Sequence, residues 1–183
     1  MLKNGVTLIA EVKTESPFGF KSDKSFDYLF DIADHFGDII SIHTDKRWGG
    51  SFDLLKKARE KTSKPLLAKG IHKTDDEIQT ALSCGADFVL VVGRIPSVIP
   101  SKNLLIEPNS LMELKSISAD FKVVWNARNL QTGKPKEESF NDARKIFKGW
   151  LCQASYIDSP EDVLLGANAI IVGENLPNFI NML

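Results

Sequence analysis

Five polar side chains close otherwise apolar runs in this sequence, and as a set they could carry proton-transfer chemistry. The run TLIAEVK (7–13) contains Glu11 and ends in Lys13, two residues apart and so on one face of a strand. PLLAKG (65–70) runs out on Lys69, NLLIEP (103–108) on Glu107 and FKVVWN (121–126) on Asn126, with Arg128 just beyond. Taken singly, a Lys or Glu there is a solvated cap, and Asn is a common turn residue. Brought to one rim, two acids, two lysines and an asparagine would shift one another's pKa values. They would also supply an acid, a base and an oxyanion partner.

That convergence needs elements to position it. Besides those four runs, DIISIHT (38–44), DFVLVVG (87–93), WLCQAS (150–155) and NAIIVGE (168–174) are apolar and rich in β-branched residues. Runs this continuously apolar suit parallel strands covered on both faces. Helical stretches separate them. SFDYLFDIADHF places Phe26, Leu29, Phe30 and Ala33 on one stripe, and SFDLLKKAREKT opens on Ser51 as N-cap. TDDEIQTALSCG carries a Thr74/Glu77 capping box with Gly85 as its stop, and SPEDVLLG starts a helix with Ser159 as cap and Pro160 in its first turn. Eight strands alternating with helices predict a (β/α)8 TIM barrel, one domain over residues 1–183.

The chain is short for that fold, which usually takes about 200 residues or more. VVGRIPSVIPSKNLLIEP leaves little room for a helix after the fourth strand, and ENLPNFINML allows about two turns at most. A trimmed barrel with helix 4 missing or vestigial is therefore expected. An open doubly wound sheet would show a Gly-rich loop after its first strand, where this chain reads KTESPFGF.

Active residues in such barrels sit at the C-terminal strand ends, and phosphate is often held by the loops after strands seven and eight. Those loops, QASYIDS and VGENLP, offer Ser155, Gly173 and Glu174. His43 shares the inward parity of Ser41 and reads either as a hydrogen-bonded lining residue or as a second proton donor. His72 is expected in a solvated loop, touching phosphate only incidentally, and His35 at a helix end.

The balance of charges narrows the partners. The formal net charge is -1 and 26% of residues are charged, with no basic stripe, so neither nucleic acid nor an anionic membrane is expected. Cys84 and Cys152 have no metal-type spacing and read as reduced, buried and inert. The first residues lack the pattern of a signal peptide and no apolar window has transmembrane length, so the cytoplasm is the expected location.

The ordered series of motifs resembles the indole-3-glycerol phosphate synthase family. IAEVKTESP matches its E-x-K-x-x-S-P signature, ISIHTDKRWGGSFDLLKKAR its second strand and aromatic loop. PLLAKG, GADFVLVV, LLIEP, WNARNLQT and SPEDV…ANAIIVGENL follow in the family's order over nearly the whole chain. The resemblance implies a cofactor-free lyase of tryptophan biosynthesis, converting carboxyphenylamino-deoxyribulose phosphate to indoleglycerol phosphate, carbon dioxide and water. It implies Lys69 as general acid at the ketose oxygen and Glu107 as general base in dehydration. Lys13 would pair with the substrate carboxylate, tuned by Glu11, and Asn126 would hold sugar hydroxyls or position an acid. Ser16 would touch substrate from the first loop, and Trp48 would pack on the anthranilate ring.

This chain departs from the family pattern at several points. About seven residues precede the first strand where the family carries a long N-terminal extension over the barrel mouth, so cover by such an extension is not expected. Gly70 stands where an Asp follows the lysine, and either Gln153 or Ala154 stands where the seventh strand has Glu. Lys69 is expected to be an acidic lysine, its pKa lowered by burial among cations with Lys13 first among them. Two other readings keep the fold but change the activity. One is phosphoribosylanthranilate isomerase, for which no Cys or Asp acid–base pair stands out; the other is a decayed barrel acting as a binding protein. The missing helix would expose apolar surface, so a monomer or weak homodimer is expected.

Overall fold

The structure is a computed structural model that describes Leu2 and residues 5–183. Among the described residues, eight parallel strands close in sequence order: β1 (Thr7–Val12), β2 (Ile39–His43), β3 (Leu66–Lys69), β4 (Phe88–Val92), β5 (Leu104–Glu107), β6 (Lys122–Asn126), β7 (Leu151–Ala154) and β8 (Ala169–Val172). The predicted barrel is present, each strand lying within its apolar run and trimmed by one or two residues at one or both ends. Strand parity divides the core in two. Ile9, Leu67, Leu90, Leu105, Val124, Cys152 and Ile171 fill the barrel interior. Leu8, Ala10, Ile42, Ala68, Val91, Ile106 and Trp125 face outward into a larger cluster beneath the helices.

A repeated device fixes the lower rim. Asp38, just before β2, accepts from Leu8 N of β1 at 2.8 Å, and Asp87 before β4 accepts from Leu66 N of β3 at 2.8 Å. Asn168 before β8 does the same for Leu151 N of β7 at 2.9 Å. Each satisfies an amide in the first two residues of a strand.

The helices are α1 (Phe26–Phe36), α2 (Phe52–Lys61), α3 (Asp75–Ser83), α4 (Leu111–Lys115), α5 (Phe140–Ile146) and α6 (Leu176–Ile180). Their starts are written in the sequence. Ser51 accepts from Leu54 N at 3.1 Å, and the Thr74/Glu77 box is fully formed. Between β4 and β5 there is only a 3-10 turn, Ser101–Asn103, where Pro96 and Pro100 withhold amide donors and leave Ile95 and Val98 exposed. The helix expected from SPEDVLLG is also a single 3-10 turn, Pro160–Asp162, despite its Ser159/Asp162 box. Gln153 explains this correction. Its outward-facing amide donates to Asp162 O and accepts from Leu164 N, both at 2.9 Å, taking the backbone groups that a helix would pair internally.

The short α6 is held by packing rather than length, with Leu176 and Phe179 fully buried against α1 and the core. Replacing Phe179 by Ala is expected to cost about 3–5 kcal/mol, the range for a truncated core aromatic. It should lower the urea midpoint of unfolding at an unchanged m-value.

Candidate active site

The C-terminal ends of the strands surround a cavity of about 330 Å³. Inward parity brings Glu11, Lys13, His43, Lys69, Glu107 and Asn126 to its wall, together with Arg128, Ser155, Gly173, Glu174 and Trp48. Ser16 stands apart: it does not line the cavity, and its hydroxyl instead accepts from Phe18 N at 3.2 Å within the first loop.

Glu11 is almost fully enclosed, 3% exposed. Its Oε1 receives Lys69 Nζ in a close ion pair, and His43 Nε2 lies 3.0 Å away. Glycine at position 173 makes this possible, because a Cβ there would overlap Glu11 Oε2. Burial would raise the Glu11 pKa, but the Lys69, His43 and Lys13 neighbours hold it well below the usual carboxylate range. For Lys69 burial works downward, and the carboxylates of Glu11 and Glu107 outweigh it, so its pKa is raised. The expectation of an acidified Lys69 is thus overturned, because its nearest charged partner is an acid rather than Lys13. Burial lowers the His43 pKa despite Glu11, which makes its ring neutral at pH 7.

Across the mouth, Glu107 is also buried but has a weaker counterweight. Asn126 Nδ2 donates to Glu107 Oε1 at 3.0 Å, while Asn126 Oδ1 accepts from Ser155 Oγ at 2.8 Å and Arg128 N at 3.0 Å. Those two donors fix the amide's orientation. Burial dominates and pushes Glu107 above the ordinary carboxylate value, against the opposing pull of Lys69 and Asn126. Opposite shifts on two carboxylates are the usual sign of divided roles. Cys152 lies inside the barrel, where burial pushes its thiol far upward, in keeping with an inert residue.

The third cluster lies at the ends of β1, β6 and β8. Arg128 grips Glu174 with both terminal nitrogens, at 2.9 and 3.2 Å, and Lys13 Nζ reaches the same carboxylate at 2.6 Å. The Arg128 guanidinium lies over the rings of Phe18 and Tyr156, at 5.8 and 5.1 Å. Sequence reasoning missed both aromatics, whose only signal is a ring beside Gly or Ser in a loop. Ser155 and Tyr156 are consecutive left-handed residues (φ 69° and 55°), a strained turn that brings both to the cavity. On the opposite wall Trp48 stacks on His43 with centroids 5.9 Å apart and planes at 2°, and Arg47 lies 4.8 Å from the indole centre.

Two further placements correct or sharpen the sequence reading. Ala154 is the inward residue at the end of β7, level with Asn126, whereas Gln153 faces outward; the neutral inward position is therefore Ala154. His72 is not solvated but 5% exposed, held by Leu90 O and Thr44. No group of His, Cys, Asp and Glu suited to holding a metal ion occurs among the described residues.

A buried carboxylate with a raised pKa weakens the fold. The unfolded chain ionises Glu107 from about pH 4.3, the folded chain only at higher pH, so stability falls as pH rises through that window. Glu107→Gln should therefore stabilise the protein by about 1 kcal/mol at pH 7. The gain should vanish near pH 4, as urea unfolding at the two pH values will report.

Comparison with known proteins identifies a family. A family model described as indole-3-glycerol phosphate synthase matches residues 1–181. The indole-3-glycerol phosphate synthase of Sulfurisphaera tokodaii is 29% identical over 203 residues, covering 96% of this chain and 81% of that one. The one from Saccharopolyspora erythraea is 30% identical over 200 residues, covering 94% and 72%. Among solved structures, 3-hexulose-6-phosphate synthase from Salmonella typhimurium matches 97% of this chain and 100% of its own with a TM-score of 0.66. At 16% identity that likeness shows the fold alone. On the strength of the family model and the curated relatives, this chain belongs to the indole-3-glycerol phosphate synthase family.

Proposed function

We propose that this protein is an indole-3-glycerol phosphate synthase of tryptophan biosynthesis, closing the ring of carboxyphenylamino-deoxyribulose phosphate with loss of carbon dioxide and water. The observation that carries the reading is the pair of buried groups across one cavity, Lys69 held protonated by Glu11 and Glu107 kept weakly acidic beside Asn126. As the ring carbon bearing the carboxylate attacks the ketose carbon, Lys69 gives its proton to the carbonyl oxygen. The new carbon–carbon bond forms, the carboxylate leaves as carbon dioxide, and its bonding electrons restore the aromatic ring. Glu107 then removes a proton from the carbon next to nitrogen while the hydroxyl, protonated with help from Lys13, departs as water. Glu11 keeps Lys69 charged at the cost of a less acidic ammonium, and the raised pKa of Glu107 makes its carboxylate the stronger base.

Lys13 and Arg128 supply the positive charge for the substrate's carboxylate and phosphate, with Ser155, Gly173 and Glu174 forming the phosphate side of the mouth. Trp48 and His43 form the aromatic wall, and Ser16 supports the first loop. The reaction needs no metal or organic cofactor. No helix among the described residues is long and apolar enough to cross a membrane, and the cytoplasm is the proposed location.

Mixing the purified protein with substrate should produce indole fluorescence. Lys69→Met should lower kcat by roughly 10²–10⁴-fold, the worth of a positioned general acid, while substrate still raises the Tm. No fluorescence at high enzyme concentration would overturn the enzymatic reading, and a retained Tm shift would then favour a binding protein. We further propose that the protein is monomeric at ordinary concentrations and pairs only weakly, through the segment around Val98, which is 69% exposed where a helix is missing. Sedimentation velocity should show a minor dimer at high concentration that Val98→Lys removes, and a monomer throughout would dismiss the contact.

A further inference from the structure

Lys69 lies beyond the last registered pair between its strand and the next one. β3 meets β4 only at Leu67↔Phe88 and Ala68↔Val89, whereas its ladder with β2 runs on to His43↔Lys69. The strand end that carries the proton donor is therefore in register on one side only; toward β4 the next backbone bond is Val92 N to Ile71 O at 3.2 Å, two residues past Lys69. On the other side the chain turns through Gly70 and Ile71 to His72, a residue in the left-handed region (φ 47°). A buried histidine in that conformation is costly unless its contacts hold it there.

Those contacts span the gap. His72 Nδ1 is 2.6 Å from Leu90 O on β4, and Nε2 is 3.0 Å from Thr44 Oγ1, one residue past β2. A carbonyl can only accept, so Nδ1 carries the hydrogen. In the neutral ring Nε2 is then an acceptor, and the Thr44 hydroxyl donates to it at 3.0 Å in preference to Lys69 O, which lies farther at 3.3 Å and already accepts from Thr44 N. Thr44 is in turn fastened to the proton donor's own backbone, its N donating to Lys69 O at 2.9 Å. Burial keeps the imidazole neutral, against the pull of the Leu90 carbonyl and of Glu77 and Asp45, with Arg94 acting in the same direction as burial. The glycine belongs to this unit: a Cβ at position 70 would stand 2.7 Å from Thr44 Oγ1 and 3.1 Å from His72 Cε1.

We propose that His72 is a positioning residue for Lys69, a neutral Nδ1–H clamp from β4 through Thr44 that fixes the donor's strand end against Glu11 and takes up the volume left by glycine at position 70. This rests on the reading of Lys69 as the general acid. The clamp acts on geometry and never touches substrate, since neither Thr44 nor His72 lines the central cavity.

The test compares the full-length wild type with His72→Asn, Thr44→Val and the double variant. Asparagine tolerates the left-handed backbone and can keep a donor toward Leu90 O, but it cannot reach Thr44. Each single change should lower kcat about tenfold, as a small misplacement of an acid does, with KM within about twofold. The basic limb of the kcat–pH profile should move to lower pH, because a loosened Glu11 contact no longer raises Lys69. The double variant should be no worse than either single one. An unchanged kcat and pH profile in folded His72→Asn, or losses that multiply, would overturn the clamp. So would a rise in KM at constant kcat. Thr44→Val, which keeps the shape of its site, decides the matter if His72→Asn does not fold. Lys69→Met separates the two ideas. If it stays active the general-acid reading falls and the clamp with it, whereas an inactive Lys69→Met beside an unaffected His72→Asn removes the clamp alone.

Discussion

A carboxylate placed in a barrel mouth and taken out of water has to be paired, and the site is organised around that requirement at Glu11. An unpaired buried charge costs several kcal/mol, enough to consume much of a small domain's stability. Glu11 is met from two neighbouring strands, by His43 of β2 and Lys69 of β3, and β8 makes room by offering a glycine at position 173. The ends of four strands are thus tied to one charge. A one-residue slip of β3 would turn Lys69 outward and leave Glu11 uncompensated, so the register of the barrel and the integrity of the site are one constraint.

Glu107 shows how the same burial gives a different chemical result. It has an amide for its close partner where Glu11 has a cation, and the two carboxylates shift in opposite directions. The third acid, Glu174, is half-buried and shared between Arg128 and Lys13. Asp158 also lines the mouth, so four carboxylates face Lys13, Lys69 and Arg128 with a neutral His43, and the cations are already matched within the protein. A substrate carrying a carboxylate and a phosphate must displace some of these internal pairings as it binds.

Much of this was legible from the sequence because strand parity is rigid. Once 7–13, 65–70, 103–108 and 121–126 are strands, the inward residues at their ends follow, and the helix caps at Ser51 and Thr74 are local chemistry written in four residues. The obscure features depend on contacts across the chain. The pKa of Lys69 depends on which neighbour lies closest, and the tilt of the barrel places Glu11 there, not Lys13. The burial of His72 follows from a left-handed backbone that nothing in IHKT signals. The collapse of SPEDVLLG into one turn depends on an amide nine residues before Asp162, since Gln153 competes with the helix for Asp162 O. The resemblance to the family supplied roles for residues but left Gln153 and Ala154 open, and the register of β7 against β6 puts Ala154 inward.

The joints of the barrel are not equally strong. β5 and β6 share only two registered pairs, Leu105↔Lys122 and Ile106↔Val123, as β3 and β4 do, but without the Asp87 cap that reinforces that other joint. The lower-rim cap that joins β1 to β2, β3 to β4 and β7 to β8 is not repeated there, because Phe121 stands immediately before β6 where those joints have an Asp or Asn. Fluctuations that open the cylinder should concentrate at this seam, and its amides should exchange with solvent before those of the other joints. Glu107 stands on one lip and Asn126 on the other. Breathing of the barrel therefore stretches the single hydrogen bond that restrains the carboxylate, and the basicity of that group is coupled to a backbone motion.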